Sequence, residues 1–228
     1  NPKNVEISRK IFGKDANILC MSFLSDDYKC VNPKVIEEFG VEKFDIIMGN
    51  PPFNMEKTEG AGNKGGRDLY PYFITKGFDV LKPDGYMVFI TPRKWRAPDK
   101  RGVILATSDI LMNKQMVFLK ILDKKYTSRV FSGISALVDY FVVQNANATE
   151  NTKVVDEMGI ETSCMIKKLP FIPNHNLENI QKILTEKENG IDIIYSRSNY
   201  GTDKSNMSNT KKGKYIYPIR HSEHNDGS

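Results

Sequence analysis

The sequence predicts an α/β fold on a largely parallel sheet, and three observations carry that expectation. Segments with helical spacing of apolar residues alternate with short apolar runs of strand length through residues 1–145. Glycine or proline stands at several of the junctions between them. Over 228 residues, an apolar share of 39% and a charged share of 27% suit one folded domain with a modest second region.

The elements follow in order. Val5, Ile7, Ile11 and Phe12 recur at helical spacing within Asn4–Phe12, and Gly13 suits a helix stop. Ala16–Cys20 (ANILC) reads as a strand. Pro33 opens a second helical stretch carrying Val35, Ile36 and Phe39, which Gly40 closes. Phe44–Met48 (FDIIM) reads as a buried strand that runs into Gly49 and two prolines, where no regular element can continue. Residues 55–67 (MEKTEGAGNKGGR) are Gly-rich and charged, hence a mobile loop. Leu69–Leu81 is helical, with Leu69, Phe73, Ile74, Phe78 and Leu81 on one side. Lys82-Pro83-Asp84-Gly85 is a turn, because proline presets one dihedral and glycine accepts a positive one. Tyr86–Ile90, Met116–Leu122 and Leu137–Val143 read as strands. Beyond Gln144, Asn, Thr, Lys and Ser become frequent; short β-like runs at Lys153–Val155 and Ile191–Tyr195 and an amphipathic helix over Leu177–Glu188 remain. The expected division is therefore 1–147 and 148–228.

Composition excludes several classes. The net charge of 33 − 28 = +5 permits a nucleic-acid partner without requiring one. No apolar run approaches the roughly 20 residues of a membrane helix, so no membrane partner is expected. Cys20, Cys30 and Cys164 form no CxxC pair, which speaks against a disulfide framework or a zinc knuckle and for a reducing, cytoplasmic compartment. His221 and His224 read as solvated tail histidines, and no metal is expected. The chain opens on Asn1 and stops in the polar stretch HSEHNDGS, so both ends are expected to be cuts in a longer protein.

The informative stretch is Phe44-Asp45-Ile46-Ile47-Met48-Gly49-Asn50-Pro51-Pro52-Phe53. Open α/β sheets deliver ligands and chemistry at the carboxyl ends of their strands, and Asn50 stands at such an end. Its side-chain carbonyl is an acceptor, and proline rings leave the Pro51 carbonyl without an adjacent donor and fix its direction. Two neighbouring acceptors can bind both hydrogens of an –NH2 group. An exocyclic amine on an aromatic ring is a poor nucleophile, because its lone pair is shared with the ring. Holding both hydrogens favours a pyramidal nitrogen whose lone pair can meet an electrophilic carbon. Phe53 adds a flat face for a planar ring.

This stretch resembles motif IV of S-adenosylmethionine-dependent amino-methyltransferases, in particular the adenine-N6 DNA methyltransferases of restriction-modification systems. Ala16–Leu24 (ANILCMSFL) is similar to that family's motif III. Gly85–Pro92 (GYMVFITP) resembles the strand after its LKPxG turn, and Val130-Phe131-Ser132-Gly133 resembles motif VIII. The resemblance implies a Rossmann-like class I methyltransferase sheet over residues 1–147, followed by the start of a target-recognition region. It implies S-adenosyl-L-methionine as cofactor, double-stranded DNA as partner and extrusion of the target base. Asn50, Pro51, Pro52 and Phe53 would bind and activate the adenine amine, and Phe131 would stack on the base opposite Phe53. Ser22, Phe23, Asn50 and Pro52 fall on cofactor positions. For Phe23 and Phe131, ordinary core packing is the alternative. No cysteine follows a proline, which discards the cysteine-dependent methylation of cytosine C5.

Two departures from the family stand out. Ser22 occupies the place of an acidic residue that would accept a bond from the cofactor's adenine amine. The family's Gly-rich cofactor loop should precede motif III and is absent, as the only GxGxxG, Gly60–Gly65, lies after the proline pair in a polar loop. The sheet is therefore expected to lack its first strands and to need an N-terminal segment from the same parent chain or from a partner chain. Lys94, Arg96, Lys100 and Arg101 cluster after Thr91-Pro92, either on DNA phosphates or as a solvated basic loop. RNA guanine-N2 or protein glutamine methylation, or a catalytically silent binding or assembly subunit, are the other readings of the same residues.

Overall fold

The computed structural model describes residues 1–55, 68–97, 102–131, 137–184 and 213. The chain divides into a unit spanning Asn1–Ile183 and a second spanning Leu184–Ser228. In order, the first unit carries α1 (Pro2–Phe12), α2 (Pro33–Phe39), β1 (Phe44–Gly49), α3 (Tyr70–Asp79), β2 (Leu81–Pro92), α4 (Gly102–Asn113), β3 (Lys114–Ile121), α5 (Lys124–Val130), β4 (Val138–Asn147), β5 (Thr152–Val155), β6 (Glu161–Cys164) and α6 (Leu177–Ile183). Local chemistry sets the helix ends. The Asn32 side chain accepts the Lys34 amide, Pro33 starts α2, and Gly40 at φ 65° closes it in the left-handed conformation.

The fold is α/β, with one six-stranded sheet in the order β1-β2-β4-β3-β5-β6. It is mixed where a largely parallel sheet was expected. β1 and β2 are parallel, as are β3 and β5, while β4 runs antiparallel between β2 and β3, and β6 is antiparallel to β5. Two further expectations are corrected. Ala16–Cys20 forms no strand: no neighbouring strand stands beside it among the described residues, and an extended segment needs a partner's hydrogen bonds. The boundary lies at 183/184 instead of 147/148, because β5 pairs directly with β3 and continues the same sheet. Ile191–Tyr195 and the end of the Leu177–Glu188 helix lie outside the described residues.

The expected turn at 82–85 lies inside β2. Phe44 pairs with Leu81 and Ile46 with Tyr86, so the Lys82–Gly85 stretch loops out of the ladder, with Asp84 at φ 60°. Asn145 Nδ2 donates to the Leu81 and Lys82 carbonyls, and Gln144 Nε2 donates to that of Asp84. Gly85 is required for space: a Cβ there would come within 2.7 Å of the Asp45 carbonyl oxygen.

α3 and α4 pack on one face of the sheet. Between them and the sheet lie Ile74, Leu111, Met87, Phe89, Phe141, Val143 and Leu119. The register places Ile46 and Tyr86, then Met48, Val88, Val142 and Phe118, in rows across the opposite face. That face is partly open, with Met48 71% and Ile46 58% exposed.

Gly85→Ala should lower unfolding stability by about 1–3 kcal/mol through the clash with backbone at Asp45, read as a lower urea midpoint with unchanged slope.

Candidate active site at the carboxyl edge

Because β3 and β2 are both antiparallel to β4, they run parallel to each other and to β1. The carboxyl ends of β1, β2 and β3 and the start of β4 therefore share one edge. β1 delivers Asn50–Phe53 to that edge, β2 delivers Lys94 and Arg96, and Phe131 lies on the connection from β3 to β4.

At the end of β1 the two prolines stop the ladder and alternate in exposure. Asn50 is exposed, Pro51 buried, Pro52 exposed and Phe53 half-buried. The turn is held from behind. The Leu69 amide donates to the Phe53 carbonyl at 2.9 Å, and Asn54 bridges Asp68 in antiparallel fashion. The arrangement fixes the backbone and leaves the Asn50 amide group outside, free to meet a ligand.

Phe23 is half-buried and stacks on Phe73 at 5.7 Å between ring centroids, against the cluster of Val31, Val35 and Val80. Ser22 is exposed, and its hydroxyl donates to the Leu24 carbonyl at 2.8 Å. Phe131 is half-buried at the end of α5, its amide bonded to the Thr127 carbonyl. The Gly60–Gly65 stretch, Lys100, Arg101, His221 and His224 lie outside the described residues.

Arg96 corrects its expected role on phosphates. It is 2% exposed, with Nε on Asp139 Oδ2 at 2.6 Å and Nη2 on Asp139 Oδ1 at 3.1 Å. Nη1 donates to the Ile172 carbonyl at 2.6 Å, and Nη2 reaches Asn174 Oδ1 at 3.2 Å. Its donors are spent inside the protein, a use the guanidinium fork suits. Burial pushes the Asp139 carboxyl up, and Arg96 pulls it back down. Sequence reasoning missed Asp139, because a lone aspartate among the apolar residues of VDYFVV gives no sign of its partner. Lys94, by contrast, projects outward and binds Asp68 Oδ1 at 2.7 Å.

With this geometry in view, comparisons with known proteins decide the family. The Eco57I restriction-modification methylase family matches residues 7–131. The chain belongs to that family. The matched span runs from α1 to Phe131 and so contains the Asn50–Phe53 turn, Asp68 and Lys94. The chain is 29% identical over 107 residues to an uncharacterized adenine-specific methylase of Mycoplasma pneumoniae, a match covering 47% of this chain and 25% of that protein. It thus spans about a quarter of that relative's length. Among solved structures it is similar to the M protein of the type I restriction enzyme EcoKI, with 18% identity and a TM-score of 0.38, over 53% of this chain and 26% of that one. A type I restriction-modification methyltransferase subunit from Streptococcus thermophilus gives 15% identity and a TM-score of 0.37, over 62% and 31%.

In this family member no helix among the described residues is long and apolar enough to cross a membrane. Removing one partner of the buried pair should strand the other. Arg96→Met is expected to cost about 3–5 kcal/mol in chemical unfolding, and Arg96→Met with Asp139→Leu to recover most of it.

Proposed function

We propose that this chain is the catalytic part of an adenine-N6 DNA methyltransferase of the restriction-modification type that uses S-adenosyl-L-methionine. One observation carries the reading: an exposed Asn50, with Phe53 behind it, stands at the carboxyl end of β1 on a turn held by the Phe53–Leu69 hydrogen bond. In this reading Asn50 Oδ1 and the Pro51 carbonyl accept the two amine hydrogens of a flipped adenine, and Phe53 stacks on its ring, with Phe131 from the β3–β4 connection on the other side. Catalysis is then mostly positioning.

S-adenosyl-L-methionine supplies the methyl group from its sulfonium when bound. The residues present fit it in part. Phe23 offers a half-buried ring beside Phe73, and Asn50 and Pro52 face outward from the same edge, while Ser22 brings no carboxylate and already uses its hydroxyl on Leu24. Lys94 stands on that edge for duplex DNA, with Lys100 and Arg101 following it in sequence.

The open sheet face supports a second part of the reading, that a further segment of the parent chain or a partner chain completes the fold. Among the described strands, β1 has a neighbour on one side alone. Parallel strands added beyond it, with right-handed connections that step outward away from β1, would bring their helices onto the face opposite α3. That is the face where Ile46, Met48 and Tyr86 are exposed.

The reading is tested by methyl transfer from labelled S-adenosyl-L-methionine to mixed-sequence duplex DNA, using the protein at its full natural length. N6-methyladenine should form, and Asn50→Ala should lower kcat by at least about a hundredfold. Label on RNA or on protein amides would move the substrate, and no label with no cofactor binding would favour a silent binding subunit. For the open face, Met48→Cys in a Cys20→Ser, Cys30→Ser background should react freely with maleimide in the 228-residue chain. It should react at least about tenfold more slowly in the full-length protein, in proportion to the fraction of time that face is uncovered.

A further inference from the structure

A pair of side chains outside the amine-binding turn ties that turn to the end of β2. The connection that leaves Phe53 returns at Asp68, where its neck is closed by the Asn54–Asp68 bridge and the Leu69–Phe53 hydrogen bond. Asp68 is also gripped from the far side, its Oδ1 at 2.7 Å from Lys94 Nζ. The Asp68 side chain is 19% exposed and that of Lys94 is 59% exposed.

Lys94 is well placed to hold position. It lies in a single 3-10 turn, Arg93–Arg96, whose next two residues are Trp95, fully buried, and Arg96, locked to Asp139 and to the 172–174 backbone. The Arg93 amide is bonded to the Leu137 carbonyl at the start of β4. The backbone under Lys94 is thus fixed to β2, β4 and the 172–174 segment. Asp68 is joined to Phe53 through one hydrogen-bonded residue. A rigid platform therefore reaches across to the neck through one ion pair.

We propose that Asp68 is a positioning residue for the Asn50–Phe53 turn, and that Lys94 serves first as its anchor and only secondarily as a phosphate contact. The proposal rests on the methyltransferase reading above for its catalytic consequence. Its structural consequence stands without that reading. A part-exposed ion pair shifts a local equilibrium by about fivefold at most. The turn should accordingly stay formed without the pair but spend less time in one geometry, and the loss should appear in the rate of the positioned complex.

The test uses Asp68→Asn, Lys94→Met, the double variant and the charge swap Asp68→Lys with Lys94→Asp, all in the full-length protein. Both single variants should lower kcat by about threefold to fivefold with KM changed less than about twofold, and the double variant should be no worse than either. The swap and Lys94→Arg should recover most of the loss. In parallel, amide exchange at Leu69 should quicken by a similar factor, about threefold to fivefold, in both single variants.

Lys94→Met raising KM and making its salt dependence shallower while Asp68→Asn is neutral would overturn the proposal in favour of phosphate binding. Unchanged Leu69 exchange in both variants would overturn it as well. If the unmodified protein transfers no methyl group, the function proposed above fails while the exchange measurement still decides the role of Asp68.

Discussion

The arrangement depends first on the buried ion pair between Arg96 and Asp139. A charged pair with both side chains essentially removed from water is tolerated when geometry and extra hydrogen bonds compensate. Here the guanidinium is bonded twice to the carboxylate, and also to the Ile172 carbonyl and the Asn174 side chain. That set of bonds joins the end of β2, the start of β4 and the segment after β6 at the edge where β1 ends. A hydrophobic replacement could fill the same volume, but it would not link three stretches of backbone so directionally. The pair is therefore best understood as what fixes the edge on which the Asn50–Phe53 turn stands.

On that edge the Asn-Pro-Pro-Phe turn follows from simple constraints. Two consecutive prolines cannot continue a ladder, so β1 stops where its carboxyl end reaches the rim. Pro51 is buried and anchors the turn, leaving Asn50 with its amide group in the open. The family match covers this turn together with Asp68, Leu69 and Lys94. Helices α3 and α4 cover one side of the sheet, while Ile46 and Met48 beside the turn remain exposed on the other. The same strand thus presents a chemical group at its end and an uncovered apolar surface along its length.

Much of this was legible in the sequence, and the failures have physical causes. Tyr86–Ile90 and the helix after Leu69 were readable because local apolar spacing and turn residues agree with the final packing, whereas Phe44–Met48 forms the expected strand but not a buried one, since Ile46 and Met48 lie on the open face. The Asn50–Phe53 turn could be picked out as the candidate site because its distinctive residues are four in a row. Ala16–Cys20 has strand composition yet forms none, since a strand exists through its neighbour. The antiparallel entry of β4 and the joining of β5 to β3 are long-range pairings that no local pattern encodes. Arg96 was misread for a related reason: a basic cluster looks uniform in one dimension, whereas a partner at Asp139, distant in sequence, turns one of its members inward. Asp68 gave no signal at all, because its meaning comes from Lys94 across the neck.

The central claim is that the Asn50–Phe53 turn receives the reacting base. It is tested most directly by placing 5-iodouracil where the methylated adenine stands in a duplex, irradiating the complex with the full-length protein, and mapping the cross-link by mass spectrometry. A cross-link to Phe53 is the result this account predicts. A cross-link confined to residues away from the carboxyl edge of β1 would contradict it.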